Sequence, residues 1–121
     1  MSLTEEQRRT MIRDAGKPKK GHHWAVLFDC GSFEICERKT LFASSDGALV
    51  CHRADTDLYR IVDRDTGAVF RTIESRNHAK CAIEMLGPNW HEVVRRIIAG
   101  DANEMRRVVL VFEKIMFGRE G

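Results

Sequence analysis

The stretch GHHWAVLFDCGSFEIC, residues 21–36, has residue types that favour β-strands on both sides of a glycine. A Gly-Ser pair such as Gly31-Ser32 can form a two-residue type II′ turn, in which the glycine supplies the positive φ. We therefore predict that this stretch is a β-hairpin, with strands over about 23–30 and 33–38.

The two histidines and two cysteines of this stretch raise the question of a disulfide or a metal site. The predicted turn places Cys30 opposite Phe33 and Leu27 opposite Cys36. Because side chains alternate along a strand, Cys30 and Cys36 then point to opposite faces and cannot form a disulfide. His22 shares a face with Cys30 but lies about 26 Å from it along the strand, too far to share a zinc ion. The prediction is a hairpin with one buried apolar face.

Two more turn signals follow the hairpin. Asp46-Gly47 favours a type I′ turn, and residues 65–67, Asp-Thr-Gly, fit a turn with a glycine bulge. The predicted strand pairs are 40–45 with 48–53, and 58–63 with 68–73. We therefore predict a six-stranded antiparallel meander over 22–74, which forms either a curved sheet or a partly closed barrel.

The chain begins with a helical signal. Thr4 and Gln7 have the spacing of a capping box, which predicts a short N-terminal helix over 4–16. The following residues 17–21, Lys-Pro-Lys-Lys-Gly, have the composition of an exposed basic linker.

The apolar spacing becomes helical after Ser75, which is a good N-cap residue. We predict three helices over 75–118. The run RRVVLVF, residues 106–112, also has strong β propensity, but a capped and uninterrupted segment favours helix over 105–117. The prediction for 1–121 is therefore a single α+β domain, in which three C-terminal helices pack on the meander.

Composition narrows the class of protein. The chain has 121 residues, a net charge of +2 and four cysteines, which is too few for a disulfide-dense secreted scaffold. It contains no apolar run of roughly 20 residues that could span a bilayer, and no basic-then-apolar leader. We therefore expect a cytoplasmic protein that does not cross a membrane.

Candidate catalytic groups are few. Cys51 and His52 are adjacent in a predicted strand and so point to opposite faces. His78 and Cys81 share one side of a predicted helix, but no nearby carboxylate is placed to orient the imidazole. Nucleotide-binding loops and acyl-transfer motifs are absent from the sequence. We therefore predict no catalytic residue, no metal ligand and no cofactor, and we interpret the chain as a non-catalytic interaction or binding module, with an unrecognised hydrolase left open as an alternative.

Nucleic acid is the first alternative partner, because basic residues recur along the chain. Glutamates at helical spacing neutralise part of this charge, since Glu92 can pair with Arg96 and Glu104 with Arg107. The candidate nucleic-acid contacts are Lys17, Lys19, Lys20, Arg95 and Arg106. A further alternative is a small apolar ligand held by the sheet or barrel, in a pocket lined by Trp24, Phe28 and Ile35.

The last helix also predicts self-association. At 100° per residue its core stripe is expected to contain Met105, Val108, Val109, Phe112, Ile115 and Met116. Leu110 and Phe117 then lie on a separate apolar strip, which a second copy could bury across a two-fold axis. We predict that these two residues form a homodimer interface. The competing prediction is that Met11 and Ile12 of the N-terminal helix cover the strip.

Overall fold

The computed structural model describes residues 3–54 and 57–117, apart from the side chains of Ile98 and of 115–117. Ten helices and strands follow one another along these ranges. They are α1 (Glu5–Ala15), β1 (His22–Asp29), β2 (Ser32–Lys39), β3 (Phe42–Ala43), β4 (Leu49–Arg53), β5 (Tyr59–Asp63), β6 (Val69–Ile73), α2 (Arg76–Leu86), α3 (Trp90–Ile98) and α4 (Ala102–Phe117). A single 3₁₀ turn, Gly87–Asn89, joins α2 to α3.

The α+β class, the antiparallel strands and the four helices agree with the prediction. The six strands form two sheets instead of one, a β1–β2 hairpin and a four-stranded sheet in the order β3-β4-β5-β6. The described strands do not close into a barrel, because each sheet ends in two unpaired edges. The helix predicted over 105–117 is confirmed, so the strong β propensity of RRVVLVF does not decide its structure.

The hairpin turn lies one residue earlier than predicted. Cys30 and Gly31 occupy it with φ of 50° and 85°, as a type I′ turn requires. Phe28 therefore pairs with Phe33, and Ala25 pairs with Cys36. Moving the turn by one residue moves every partner by two, so each side chain keeps its predicted face. The conclusion that the two cysteines face apart is unchanged, and all four cysteines of the chain are free.

The four-stranded sheet is covered on both faces. Successive side chains of β4 point alternately to the two covering layers. Leu49 and Cys51 belong to the main core, which the sheet forms with α2, α3 and α4. Val50 faces the other way and packs with Val62 and Ala25, so the hairpin lies on the opposite face. The fold is therefore a hairpin, a sheet and a helical layer, in that order.

Local sequence signals set the ends of the helices. Thr4 and Gln7 form the predicted capping box of α1, and the Ser75 hydroxyl accepts from the backbone N–H of His78 at the start of α2. Helix α2 presents four buried residues to the core, and α3 and α4 contribute two each. These residues are Ala79, Ala82, Ile83, Leu86, Trp90, Val93, Val108 and Phe112.

The core stripe of α4 differs from the predicted one. Val108 and Phe112 are buried, but Met105 and Val109 are 49% and 51% exposed. Glu104 lies on the core side instead: it is 7% exposed, its carboxylate accepts hydrogen bonds from Arg107 at 2.6 and 3.1 Å, and it lies 3.6 Å from Arg96 of α3. The line through Glu104, Val108 and Phe112 therefore faces inward.

Helix α1 lies against the hairpin and the β5–β6 turn. The Arg8 guanidinium carbon lies 5.2 Å from the ring centre of Phe33, and Arg9 donates to Asp65 at 2.8 Å. The prediction that α1 covers Leu110 is wrong, because this side chain remains 55% exposed. Within the described ranges, no helix is both long and apolar enough to pass through a bilayer.

Candidate functional site

A pair of buried histidines joins the two sheets. His23 on β1 and His52 on β4 are each 1% exposed, and Nε2 of His23 lies 2.9 Å from Nδ1 of His52. Their ring centres are 5.1 Å apart. The sequence predicts only that His52 points away from the face of Cys51, because nothing in it says which strand of the hairpin packs over His52. The pair is a buried side-chain contact between the hairpin and the sheet, which are also joined by a backbone hydrogen bond from Val26 to Gly67 at 2.8 Å.

The hydrogen bonds of this pair form a directed chain. The Arg60 guanidinium can only donate, so Nη1 donates to Nε2 of His52 at 3.3 Å. His52 then carries its proton on Nδ1 and donates it to Nε2 of His23. His23 in turn carries its proton on Nδ1 and donates to the Thr40 hydroxyl at 2.7 Å. Every ring nitrogen is satisfied only while both imidazoles are neutral.

Burial enforces this neutral state. It is the largest cause, ahead of the nearby guanidinium of Arg64, of the lowering of the pKa of His23 to about 4. Burial also lowers the pKa of His52 to about 3, with smaller contributions from His23 and Arg60. Two imidazoles that are buried and stay neutral do not exchange protons with a substrate near neutral pH. We therefore interpret the pair as a structural polar contact.

A cationic cleft opens beside the pair. It has a volume of about 440 Å³ and lies between the basic linker, the start of β1 and Arg64. The Trp24 indole N–H donates to the Gly16 carbonyl at 2.8 Å, which ties the linker to β1. The charged and aromatic residues around the cleft are Lys17, Lys19, Lys20, His22, Trp24 and Arg64.

The positive charge of this cleft is only partly compensated. Lys19 is paired, since its Nζ lies 3.7 Å from Glu37 and its backbone N–H donates to the same carboxylate at 2.8 Å. Lys17, Lys20 and Arg64 have no ion-pair partner within residues 3–54 and 57–117. All three side chains are exposed, and no acidic residue lines the cleft.

The two other candidate nucleic-acid contacts lie elsewhere. Arg95 on α3 donates to both carboxylate oxygens of Glu92 at 2.5 Å, so its charge is compensated. Arg106 lies on α4 and does not line the cleft. The expected Glu92–Arg96 ion pair is present at 3.2 Å. The structure thus brings together three of the five predicted basic residues and adds Arg64, which is not among the five.

An apolar cavity of about 260 Å³ lies between α1, β6 and α3. The predicted apolar pocket over Trp24, Phe28 and Ile35 does not form, because Phe28 is at the hairpin tip and 62% exposed. Phe70 and Trp90 line the observed cavity, together with Arg8. Nη1 of Arg8 is buried without a hydrogen-bond partner in the part of the chain that the structure describes, and burial lowers the pKa of this guanidinium.

The His78–Cys81 pair considered in the sequence is not assembled for nucleophilic catalysis. His78 is half-buried and Cys81 exposed on one side of α2, and the structure gives no hydrogen bond between these two described side chains. Across the described ranges, no group of three histidine, cysteine, aspartate or glutamate residues is placed to share a metal ion.

The side of α4 opposite the core carries an apolar pair between two charges. Val109 and Leu110 are exposed, with Arg106 before them and Glu113 after them. At 100° per residue these four side chains lie within a 100° arc, in which Leu110 lies directly opposite Val108 and Phe112 and Val109 lies at the edge nearest to Phe112. We call this set, Arg106, Val109, Leu110 and Glu113, the outer face of α4. The side chain of Phe117, which was predicted to share the interface, lies outside the described residues.

Comparison of the chain with protein-family models, with curated proteins and with solved structures finds no match in any of the three.

Proposed function

We propose that this protein is a non-catalytic binding module that self-associates through the outer face of α4. The observation that carries the proposal is the exposure of Val109 and Leu110, at 51% and 55%, with Leu110 directly opposite the buried Val108 and Phe112 and Val109 100° to one side of Leu110. Adjacent exposed apolar side chains on a regular helix are typical of a surface that another protein covers.

A second copy fits this surface because its charges are self-complementary. Suppose that two α4 helices pack antiparallel about a two-fold axis between Val109 and Leu110. Each residue then faces the residue of the other copy for which the two residue numbers sum to 219. Val109 then faces Leu110 of the other copy, and Arg106 faces Glu113 at both ends. Neither Arg106 nor Glu113 has an ion-pair partner among the residues described, so each is available for this contact.

The size of the outer face sets the expected affinity. Tight complexes bury roughly 800 Å² on each partner, and one helix face with two apolar residues offers less. We therefore expect a reversible dimer with a dissociation constant in the micromolar range. Sedimentation velocity between about 10 µM and about 1 mM should show the mass rising above the 13.9 kDa of one chain.

The first variant tests the apolar contact. Leu110→Glu places two carboxylates at the centre of the interface and should give a monomer at every concentration, with unchanged circular dichroism. Met85→Glu is the matched control, because Met85 is also about half exposed but lies on α2, outside the outer face. A monomeric wild-type chain would refute the proposal, as would equal dissociation of both variants.

The second variant tests the antiparallel geometry. Arg106→Glu brings like charges together at both ends of the helix pair and should weaken the dimer. Adding Glu113→Arg restores opposite charges in every facing pair and should restore the dimer. Failure of this exchange to restore association would exclude the two-fold arrangement.

A further inference from the structure

We propose that the cationic cleft between the basic linker, β1 and Arg64 binds a nucleotide, with its phosphate on the lysines and its base against Trp24. The nucleotide is either free or part of a single-stranded nucleic acid, since both present the same phosphate and the same planar base. This site is separate from the outer face of α4 and does not depend on self-association.

The charge of the cleft selects for an anion. Lys17, Lys20 and Arg64 are exposed and without ion-pair partners in the described ranges, and the cleft has no acidic lining residue. The apolar cavity beside α1 is a weaker site for an anion, because Glu5 and Asp63 line it together with Arg8. An arginine beside two lysines can place a bidentate donor and two point charges around one phosphate.

The aromatic residue that lines the cleft favours an anion that also carries a planar base. Trp24 lines the cleft, and its indole is held in place by the bond from its N–H to the Gly16 carbonyl. A fixed aromatic ring next to phosphate-binding cations is the arrangement by which proteins bind single-stranded nucleic acid without sequence preference. Inorganic phosphate would use the cations but leave the indole without a ligand.

The size of the cleft agrees with this ligand class. Its volume of about 440 Å³ falls within the range of roughly 300–1,000 Å³ that is typical of small-molecule sites. Gly16, Pro18 and Gly21 leave the wall of the cleft with little side-chain bulk on the linker side, so the backbone there allows close approach of a ligand.

The test uses the full chain with two probes, a fluorescently labelled oligothymidylate and unlabelled ATP. Fluorescence anisotropy follows the oligonucleotide, and tryptophan emission follows both probes. The chain has two tryptophans, and Trp90 is buried at 2% exposure, so stacking in the cleft should quench the emission of Trp24 alone. Trp24→Phe should therefore abolish the quenching.

The decisive comparison uses charge-matched variants. Lys17→Ala with Lys20→Ala removes two cations from the cleft, and Lys39→Ala with Lys80→Ala removes two exposed lysines outside it. If both cleft lysines contact phosphate, affinity in 0.1 M salt should fall about 25-fold, and the slope of log K against log salt should become shallower by about 1.4. The control pair should change the affinity less than threefold.

Each outcome bears on the proposal. Binding of the oligonucleotide with quenching, lost in the cleft variant and kept in the control, supports it and names a single strand as the source of the nucleotide. The same pattern with ATP supports it with a free nucleotide as the source. Absence of binding for both probes refutes it, and so does an equal loss in both double variants. Leu110→Glu should leave this binding intact, so the dimer and the cleft can fail independently.

Discussion

Acid should unfold this protein through its buried histidine pair. The perturbation is a fall in pH from 7 to 5. The pKa values of His23 and His52, about 4 and about 3 in the folded chain, return to about 6.5 when the chain unfolds. The unfolded state therefore binds more protons below pH 6.5, and stability is lost as pH falls from there towards 4.

The structure gives the size of this loss. Each histidine that is protonated only in the unfolded state contributes a slope of about 1.4 kcal/mol per pH unit. Two such groups give a slope of about 3 kcal/mol per unit below pH 6, and a total loss of about 4 kcal/mol between pH 7 and 5. The folded state cannot accommodate protonation of either imidazole, because a second proton on either ring would point at the N–H of Arg60 or of His52.

Urea denaturation followed by circular dichroism at several pH values measures this slope. His23→Gln should remove about half of it, whatever its effect on absolute stability, because one titrating group is lost. His91→Gln is the control, since His91 is exposed and lies outside the pair. The reasoning would be refuted by a free energy of unfolding that does not change between pH 7 and 5. An equal change in its slope against pH in both variants would also refute it.

Three further predictions concern single side chains. Asp63→Ala removes the acceptor of two buried hydrogen bonds, from an indole at 3.1 Å and a hydroxyl at 2.6 Å, and should lower the free energy of unfolding by about 3 kcal/mol in urea titrations. Gly87→Ala presses a Cβ into the side chain of Ser44 and should cost about 1–3 kcal/mol, measured in the same way, with Ser44→Gly added to relieve it. Burial raises the pKa of Cys51 to about 11, so a thiol reagent should label exposed Cys30 within minutes and Cys51 only after denaturation.

The local signals of the sequence predicted the helix starts and one strand register correctly, but not the turn types. Thr4 and Ser75 begin helices where their side chains cap free N–H groups, and β3 pairs with β4 in the predicted register, with Phe42 opposite Cys51. In each case the residues that decide the structure are neighbours in sequence, or pair across one turn. The type I′ turn predicted at Asp46-Gly47 does not form, because Asp46 does not have a positive φ.

Long-range packing determined what the sequence did not predict. The buried side of α4 includes Glu104, a charged residue that a hydrophobicity pattern places outside the core. The histidine pair depends on the docking of a separate hairpin over β4, and Arg64 reaches the cleft from a turn 44 residues after Lys20. None of these contacts follows from spacing along the chain.

The order of the layers has a consequence for synthesis on the ribosome. The main core draws on residues from Phe42 onwards, whereas α1 and the hairpin are translated before their docking surface exists. An isolated two-stranded hairpin is at best marginally stable in water. The hairpin is therefore expected to stay undocked during translation, and the contact between His23 and His52 becomes available only after the sheet has formed. Folding would then run against the direction of translation here, because the hairpin docks after the sheet that is translated later.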